Sequence, residues 1–247
     1  MLMDKVRKLL FAYKHPTYLY RYFMLRNASF EDALKFHVND TLKILSEKFR
    51  NFNPEETSTT YVEKMLKKYS FGSYPMVLYV ACKLLRPKVV VETGAGAGLA
   101  STFILKALSE NGEGALYSID LPRCVYRTES GEIIDDRFWT PEGKESGWLV
   151  PEDLRRNVDW KLFIGKSSEL LPIIIRECRE IDIFFHDSEH TYQNMMFEYR
   201  TVYPSLKIGG LLLSHDIGLN NAFTDFAAEI NAHFTILKKG LGLVIKS

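Results

Sequence analysis

Cysteine, net charge and long apolar runs are all scarce in this sequence of 247 residues. It contains only three cysteines, Cys82, Cys124 and Cys178, and no two of them have the C-x-x-C spacing. So sparse and odd a set excludes a disulfide framework and a cysteine-pair metal site. The formal net charge of +1 argues against a dedicated nucleic-acid-binding protein, which normally carries a strong basic excess.

No apolar run approaches the length of a membrane span, and residues 1–14 are charged throughout, unlike a secretory signal peptide. We therefore expect a cytoplasmic protein without a transmembrane segment. A hydrophobic content of 46% argues against disorder. The length suits one domain of ordinary size plus an extension.

Residues 1–72 are predicted to form an N-terminal helical extension, because apolar residues recur there at helical spacing. Segment 14–26 is rich in tyrosine, phenylalanine and basic residues. It could lie on a membrane surface or on another protein. The interpretation we favour is an aromatic helix that packs on the main domain or closes a homo-oligomer through the N-terminal helices.

Residues 73–247 are predicted to form one α/β domain in which strands and helices alternate. Five strand patterns alternate with helical patterns, which is typical of a Rossmann-like, doubly wound parallel sheet; they cover residues 88–93, 115–120, 160–165, 181–187 and 210–216. Two further strands, 234–238 and 241–246, are separated by only two residues. So short a turn joins only antiparallel strands, so the sheet should have seven strands, mainly parallel with a C-terminal antiparallel hairpin.

A glycine-rich turn follows the first strand, in the stretch K-V-V-V-E-T-G-A-G-A-G-L (88–99). A strand, a glycine-rich turn and a helix N-terminus together form a usual site for a nucleotide-like ligand. A dinucleotide fingerprint would need a third glycine where Leu99 stands. Glu92 would repel a pyrophosphate and suits a positively charged ligand such as S-adenosylmethionine. A turn without a ligand is the alternative. However, the three closely spaced glycines Gly94, Gly96 and Gly98 lose more conformational entropy on folding than a plain turn would require.

Asp120 ends the second predicted strand, 22 positions after Gly98. An acidic residue at that place binds ribose hydroxyls in folds of this kind, and the alternative is a solvated loop carboxylate. The segment 121–150 that follows has no clear periodicity but contains Trp139 and Trp148. A loop of this length is usually functional or disordered, and we interpret it as a lid-like or substrate-shaping insertion.

The chain resembles the class I S-adenosylmethionine-dependent methyltransferases. Within them it is similar to the branch with cephalosporin-hydroxylase-like and macrolide-sugar O-methyltransferases. The resemblance covers residues from about 73 to 247. Besides the glycine motif and Asp120 it rests on further motifs, namely G-K-S-S (165–168), H-D-S-E-H-T-Y (186–192), a Gly209–Gly210 turn and L-L-L-S-H-D (211–216).

The resemblance implies that S-adenosylmethionine is the cofactor and that the acceptor is a small hydroxylated molecule, such as a sugar or a natural product. It implies a catalytic role for Asp187, and a general-base role for His190 whose alternative is to cap the following helix. Ser167 would lie near the adenine, with capping of helix 168–179 as its alternative or additional role. The implied cofactor-binding residues are Glu92, Gly94, Gly96, Gly98, Asp120, Ser167 and Asp187.

The resemblance also implies a divalent metal site at the ends of the fourth and fifth strands, with Asp187, Asp216 and His215 as ligands. His215 stands where related enzymes carry Glu or Asp. Imidazole suits transition metals better than magnesium, so this set favours manganese, iron, zinc or no metal. His186 should point to the other face of its strand and have a structural role.

Two functions from different classes fit these residues. The first is an O-methyltransferase enzyme, and the alternative is a non-catalytic binding or regulatory protein that keeps the cofactor fold. The joint presence of Asp187, His190 and Asp216 favours the enzyme, because a degenerate protein has no need of them together. A nicotinamide-dependent oxidoreductase is disfavoured by Leu99, Glu92 and the terminal hairpin.

Overall fold

A computed structural model describes residues 74–121, 125–127, 133–135, 144–237 and 240–246. The predicted extension 1–72, with its aromatic segment 14–26, lies outside the described residues, so its helices and its role in a homo-oligomer stay predictions. Among the residues that are described, no helix has the length and apolar character needed to cross a membrane.

The main sheet has seven strands, namely β1 (Val89–Thr93), β2 (Ala115–Asp120), β5 (Asp159–Ile164), β6 (Ile181–His186), β7 (Leu206–Ser214), β8 (Phe234–Leu237) and β9 (Leu241–Ile245). They are arranged in the order β5-β2-β1-β6-β7-β9-β8. The first five in that order are parallel to one another, and β9 runs antiparallel to both β7 and β8. This confirms the predicted fold class.

Helices connect the strands and cover both faces of the sheet. Six α-helices are described, and a 3₁₀ turn at Tyr203–Ser205 precedes β7. The α-helices are α1 (Tyr74–Leu85), α2 (Leu99–Asn111), α3 (Glu152–Asn157), α4 (Ser167–Cys178), α5 (Tyr192–Val202) and α6 (Ala222–Glu229).

The hydrophobic core forms two layers, one on each face of the sheet. Val90 of β1 packs with α1 and α2, including Phe103, on one face. The next residue, Val91, packs on the other face with Tyr199 of α5 and Phe226 of α6. Because β1 lies between two parallel neighbours and is covered on both faces, its first three residues form a continuous apolar run rather than an alternating pattern.

The strand β7 begins four residues earlier than the sequence predicted. Gly209 and Gly210 lie inside it, so the predicted turn at these glycines is wrong. The register with β6 shifts between Ile181 and Ile183, which marks a bulge beside the glycines. A Cβ on Gly210 would lie 2.9 Å from the carbonyl oxygen of Asp182, so glycine serves close packing of strands here.

The predicted insertion 121–150 contains a short antiparallel pair, β3 (Val125–Arg127) and β4 (Ile133–Asp135). Strands of three residues are too short to show a periodic pattern, which is why the sequence did not reveal them. The function of the insertion as a lid stays a prediction. Its last residues, 144–150, pack against the glycine-rich turn that follows β1.

Candidate functional site

The carboxyl ends of β1, β2, β6 and β7 meet at one edge of the sheet, where ligands bind in open α/β folds. Three glycines with positive φ follow β1, and we call residues 94–98 the glycine loop. A Cβ on Gly94 would lie 2.1 Å from the carbonyl oxygen of Asp187, so no side chain fits there. The Asp187 amide donates to the carbonyl oxygen of Thr93 at 2.9 Å. The glycine loop and the end of β6 are therefore in direct contact.

Glu92 lies beneath the glycine loop and is only 1% exposed. Its Oε1 accepts hydrogen bonds from Ser118 Oγ at 2.6 Å and from Ser101 Oγ, while Oε2 has no partner in the part of the chain that is described. Burial raises its pKa to about 7, which the two serine hydrogen bonds oppose and the negative charges of Asp120 and Asp187 reinforce. The structure thus places Glu92 under the loop, with a pKa near neutral pH.

Asp120 ends β2 and is 6% exposed. Burial raises its pKa, whereas hydrogen bonds from the Ser146 hydroxyl and from the amides of Gly96 and Leu121 lower it. Its Oδ2 is buried without a hydrogen-bond partner among the described residues. A buried acceptor oxygen of this kind needs a donor, and a ligand hydroxyl at the edge of the sheet can supply one.

Ser167 is the first residue of α4, and Lys166 occupies the N-cap position. The alternative role of Ser167 as a helix cap is therefore wrong. Its hydroxyl donates instead to Asn194 Oδ1 at 3.3 Å, and the Asn194 amide in turn donates to Glu198. Ser167 thus belongs to a polar network behind the strand ends.

Glu198 is the centre of that network and is fully buried. It accepts hydrogen bonds from Thr93 Oγ1 at 2.6 Å, from Ser188 Oγ at 2.7 Å and from Asn194 Nδ2 at 3.1 Å. His186 Nδ1 lies 2.7 Å from Glu198 Oε2. Burial raises the pKa of Glu198, but the charge of His186 and these hydrogen bonds outweigh it and lower the pKa to about 2.

His186 is fully buried in this network, which agrees with a side chain on the other face of the strand from Asp187. Its structural role stays a prediction. Because Glu198 is ionised and only accepts, the His186 Nδ1 carries a proton and donates it. Glu198 was not predicted from the sequence, although one signal for it was present. Glu198 lies on the apolar face of α5 with Met195, Tyr199 and Val202, and an acidic residue on such a face is rarely buried without partners.

Asp187, His190 and His215 form a second group at the strand ends, and their side chains are only 15–19% exposed. His215 Nδ1 lies 2.9 Å from Asp187 Oδ1, and His190 Nε2 lies 3.8 Å from the same oxygen. The ring of Tyr74 packs on the His215 ring with centroids 4.2 Å apart. One potential ligand atom from each of Asp187, His190 and His215 lies within 4.8 Å of the others.

Asp216 does not join this group, although the sequence predicted it as a metal ligand with Asp187 and His215. Its backbone has φ of 50°, just after β7 ends, and its side chain is 48% exposed. Its Oδ2 lies 3.4 Å from His215 Nδ1. His190 takes its place, so the donor set is two imidazoles and one carboxylate. That set suits a transition-metal ion better than magnesium, which prefers oxygen ligands.

His190 precedes Thr191, whose hydroxyl accepts a hydrogen bond from the Asn194 amide and caps α5. The alternative role of His190 as the helix cap is therefore wrong. Burial lowers the pKa of His190, and the nearby His186 lowers it further, so the neutral ring is favoured. Its Nε2 is buried and has no hydrogen-bond partner within the described segments.

Residues 91–217 match a family model described as a methyltransferase domain, and the match covers just over half of the 247 residues. This chain belongs to that methyltransferase family. The matched region runs from β1 to the residue after Asp216, so it includes the glycine loop, Asp120 and the Asp187–His190–His215 group. No curated protein sequence matches the chain.

Solved methyltransferase structures share the fold of this family member at low sequence identity. The SAH-bound PaMTH1 of Podospora anserina is 13% identical with a TM-score of 0.55, over 84% of this chain and 88% of that one. An O-methyltransferase from Bacillus cereus in complex with SAH is 14% identical with a TM-score of 0.50, over 87% and 97%. Apo CalS11, a TDP-rhamnose 3'-O-methyltransferase of calicheamicin biosynthesis, is 13% identical with a TM-score of 0.50, over 84% and 93%. At such identities the likeness shows the fold alone.

Proposed function

We propose that this methyltransferase uses S-adenosylmethionine to O-methylate a small hydroxylated molecule of the sugar or natural-product kind. The observation that carries the proposal is the direct contact of two sites. Gly94 of the glycine loop packs so closely on Asp187 that a Cβ would lie 2.1 Å from its carbonyl oxygen. A cofactor on the loop would therefore present its methyl group beside Asp187, His190 and His215.

The cofactor half of the site suits a ligand that is positively charged at one end and carries ribose hydroxyls. Glu92, Asp120 and Asp187 supply carboxyl groups around the glycine loop, and the unpartnered Oδ2 of Asp120 would accept from a ribose hydroxyl. The glycines allow the ligand to approach the backbone. Ser167, at the start of α4, remains our choice for the residue beside the adenine.

His190 is our choice for the general base. In the reaction the acceptor oxygen attacks the methyl carbon, the carbon–sulfur bond breaks, and the sulfonium becomes a neutral thioether. The acceptor loses a proton, which a neutral imidazole can take. Nε2 of His190 has no partner in the described part of the chain, and Asp187 Oδ1 at 3.8 Å would stabilise the imidazolium that forms.

A divalent transition metal is a second candidate component, because Asp187, His190 and His215 together fit one. When bound, such an ion supplies Lewis-acid polarisation of the acceptor hydroxyl. Nε2 of His190 cannot both bind a metal and accept a proton. Metal ligand and general base are therefore two distinguishable roles for His190.

The cofactor is tested by calorimetric titration of the full chain with S-adenosylmethionine, S-adenosylhomocysteine and NAD. We expect binding of the first two only, and a loss of about ten- to a hundredfold in Asp120→Ala, as expected for a lost charge-assisted hydrogen bond. Gly96→Val should bind as weakly, because valine rarely adopts the φ of 51° found there. Asp159→Ala, at the opposite end of the sheet, is the matched control. Unchanged affinity in both site variants would contradict the proposal.

The role of His190 is tested with manganese and magnesium titrations and with an acceptor panel of nucleotide-linked sugars and polyhydroxylated natural products. As a base, His190→Ala should lower methyl transfer by roughly 10²–10⁴ and leave cofactor and metal affinity unchanged. As a ligand, it should weaken manganese binding. Exposed His233→Ala is the control. Cofactor binding without transfer to any acceptor would favour the non-catalytic alternative.

A further inference from the structure

Residues 144–150, which we call the strap, are bound to the glycine loop through the backbone. The Gly147 amide donates to the carbonyl oxygen of Gly96 at 2.7 Å, and the Leu149 amide donates to that of Ala97 at 2.9 Å. Leu149 itself is 1% exposed. The last part of the predicted insertion is therefore fixed to the loop that would hold the cofactor.

Gly147 allows this close approach. A Cβ there would lie 2.5 Å from Cη2 of Trp160, and a Cβ on Gly98 would lie 2.8 Å from the Gly147 Cα. Arg155 Nη2 donates to the Gly147 carbonyl oxygen, and its Nε donates to that of Val150 at 3.2 Å. Gly147 of the strap thus packs directly against Gly98 of the glycine loop, and Arg155 binds two carbonyl oxygens of the strap.

The packing brings Ser146 to Asp120. Ser146 is 5% exposed and precedes Gly147, which is hydrogen-bonded to Gly96, and its hydroxyl is close enough to the Asp120 carboxyl to lower the pKa of that group. The Ser146 hydroxyl therefore lies beside this carboxylate, whose Oδ2 is buried and has no partner among the described residues. That oxygen needs a donor, which a ligand hydroxyl can supply.

We propose that Ser146 is a positioning residue that fixes the Asp120 carboxylate so that its unpartnered oxygen receives a ribose hydroxyl of the cofactor. The strap thereby becomes part of the cofactor site, although it is separated from the glycine motif by some fifty residues of sequence. This inference rests on the proposed function, since it needs a ligand with a ribose.

The test compares the affinities for S-adenosylhomocysteine and for its 2′,3′-dideoxyribose analogue, measured by calorimetry on the full chain. The wild type should prefer the ribose form by about ten- to a hundredfold, and Asp120→Ala should show no preference. Ser146→Ala should lose most of the preference while binding the dideoxy analogue as the wild type does. Ser146→Thr, which keeps the hydroxyl, should show the same preference for the ribose form as the wild type. A merely structural role of Ser146 would weaken both ligands equally.

Thr201→Ala is the matched control, because it removes a hydroxyl that donates within α5, away from the strap. If Ser146→Ala does not fold, Ser146→Cys carries the same test, since a thiol is a weak donor of similar size. A full ribose preference in the serine variant would overturn this inference alone. No binding of either ligand by the wild type would overturn the proposed function, and this inference with it.

Discussion

Two fully buried glutamates lie within the same domain, and their environments shift the pKa of the carboxyl group in opposite directions. Glu92, under the glycine loop, accepts two serine hydroxyls on one oxygen and has two acidic neighbours. Burial raises its pKa to about 7, because the two serine hydrogen bonds are too weak to offset it. Glu198, behind the strand ends, has donors on both oxygens and His186 beside it, and its pKa falls to about 2.

Burial alone therefore does not decide the charge of a carboxylate in this protein. Desolvation raises the pKa at both positions, and the partners determine whether it is outweighed. The region around Glu198 has the character of a support, with an ionised and fully bonded carboxylate. The region around Glu92 has an unpartnered oxygen and a pKa near neutral pH, which is typical of a site that responds to a ligand.

The largest effect should come from breaking the Glu198 network. Glu198→Gln removes the buried negative charge that accepts the hydrogen bonds of the network. Because a hydrogen bond to a charged group contributes roughly 1.5–3 kcal/mol, we expect a loss of about 3 kcal/mol or more in the free energy of unfolding. Urea unfolding at pH 7 measures this, with exposed Glu180→Gln as the matched control. Equal stability of Glu198→Gln and wild type would show that the network does not support the fold.

The two glutamates should make the free energy of unfolding depend on pH with opposite signs, because the pKa is raised at Glu92 and lowered at Glu198. Between pH 4.5 and 7 the folded protein keeps a proton on Glu92 that the unfolded chain has released, so stability falls as pH rises through this window. A shift from 4.5 to about 7 corresponds to about 3 kcal/mol. Glu92→Gln carries no such proton, so it should gain about that much relative to wild type between pH 4.5 and pH 8.

Urea unfolding of Glu92→Gln and wild type without ligand, at steps from pH 4.5 to 8, measures this difference. The charged groups that face Glu92 are Asp120 and Asp187, so Asp120→Asn should lower the pKa of Glu92 and move the window down. A difference between Glu92→Gln and wild type that stays constant with pH would contradict the comparison.

A smaller change in the free energy of unfolding should follow when one hydroxyl donor is removed from the Glu198 carboxylate or from the Glu92 carboxylate. Ser188→Ala takes a donor from Glu198, which is ionised at both pH 5 and pH 8, and should cost about 1.5 kcal/mol at both. Ser118→Ala takes a donor from Glu92 and should cost as much at pH 8 but less at pH 5, where Glu92 is protonated. Unfolding at the two pH values measures both variants, and the same pH response in the two would contradict the prediction.

The architecture could be predicted because its signals are local. The valine run of β1 and the two-residue connection before β9 each depend on neighbouring residues, and they correctly gave the strand type and the antiparallel hairpin. The Gly209–Gly210 turn was wrong because a bulge depends on the neighbouring strand. The β3–β4 pair was too short for a pattern, and residues 1–72 lie outside the described part.

The candidate site was predictable where a residue ends a strand. Glu92, Asp120 and Asp187 were located in this way, and the structure brings them to the same edge of the sheet. Ser146 could not be found, because nothing in its local sequence indicates that it reaches Asp120. That His190 and not Asp216 forms a compact group with Asp187 and His215 was equally hidden, since it depends on a backbone turn after β7.

By itself, the sequence determined the order of strands and helices along the chain, the glycine loop and the strand ends that carry carboxylates. These follow from periodicity, turn length and glycine spacing, all of which act over a few residues. Only the tertiary structure decided which carboxylate stays ionised, which histidines meet Asp187 and where the strap lies. The physical reason is that burial, charge and hydrogen bonds act between side chains that are close in space but distant along the chain.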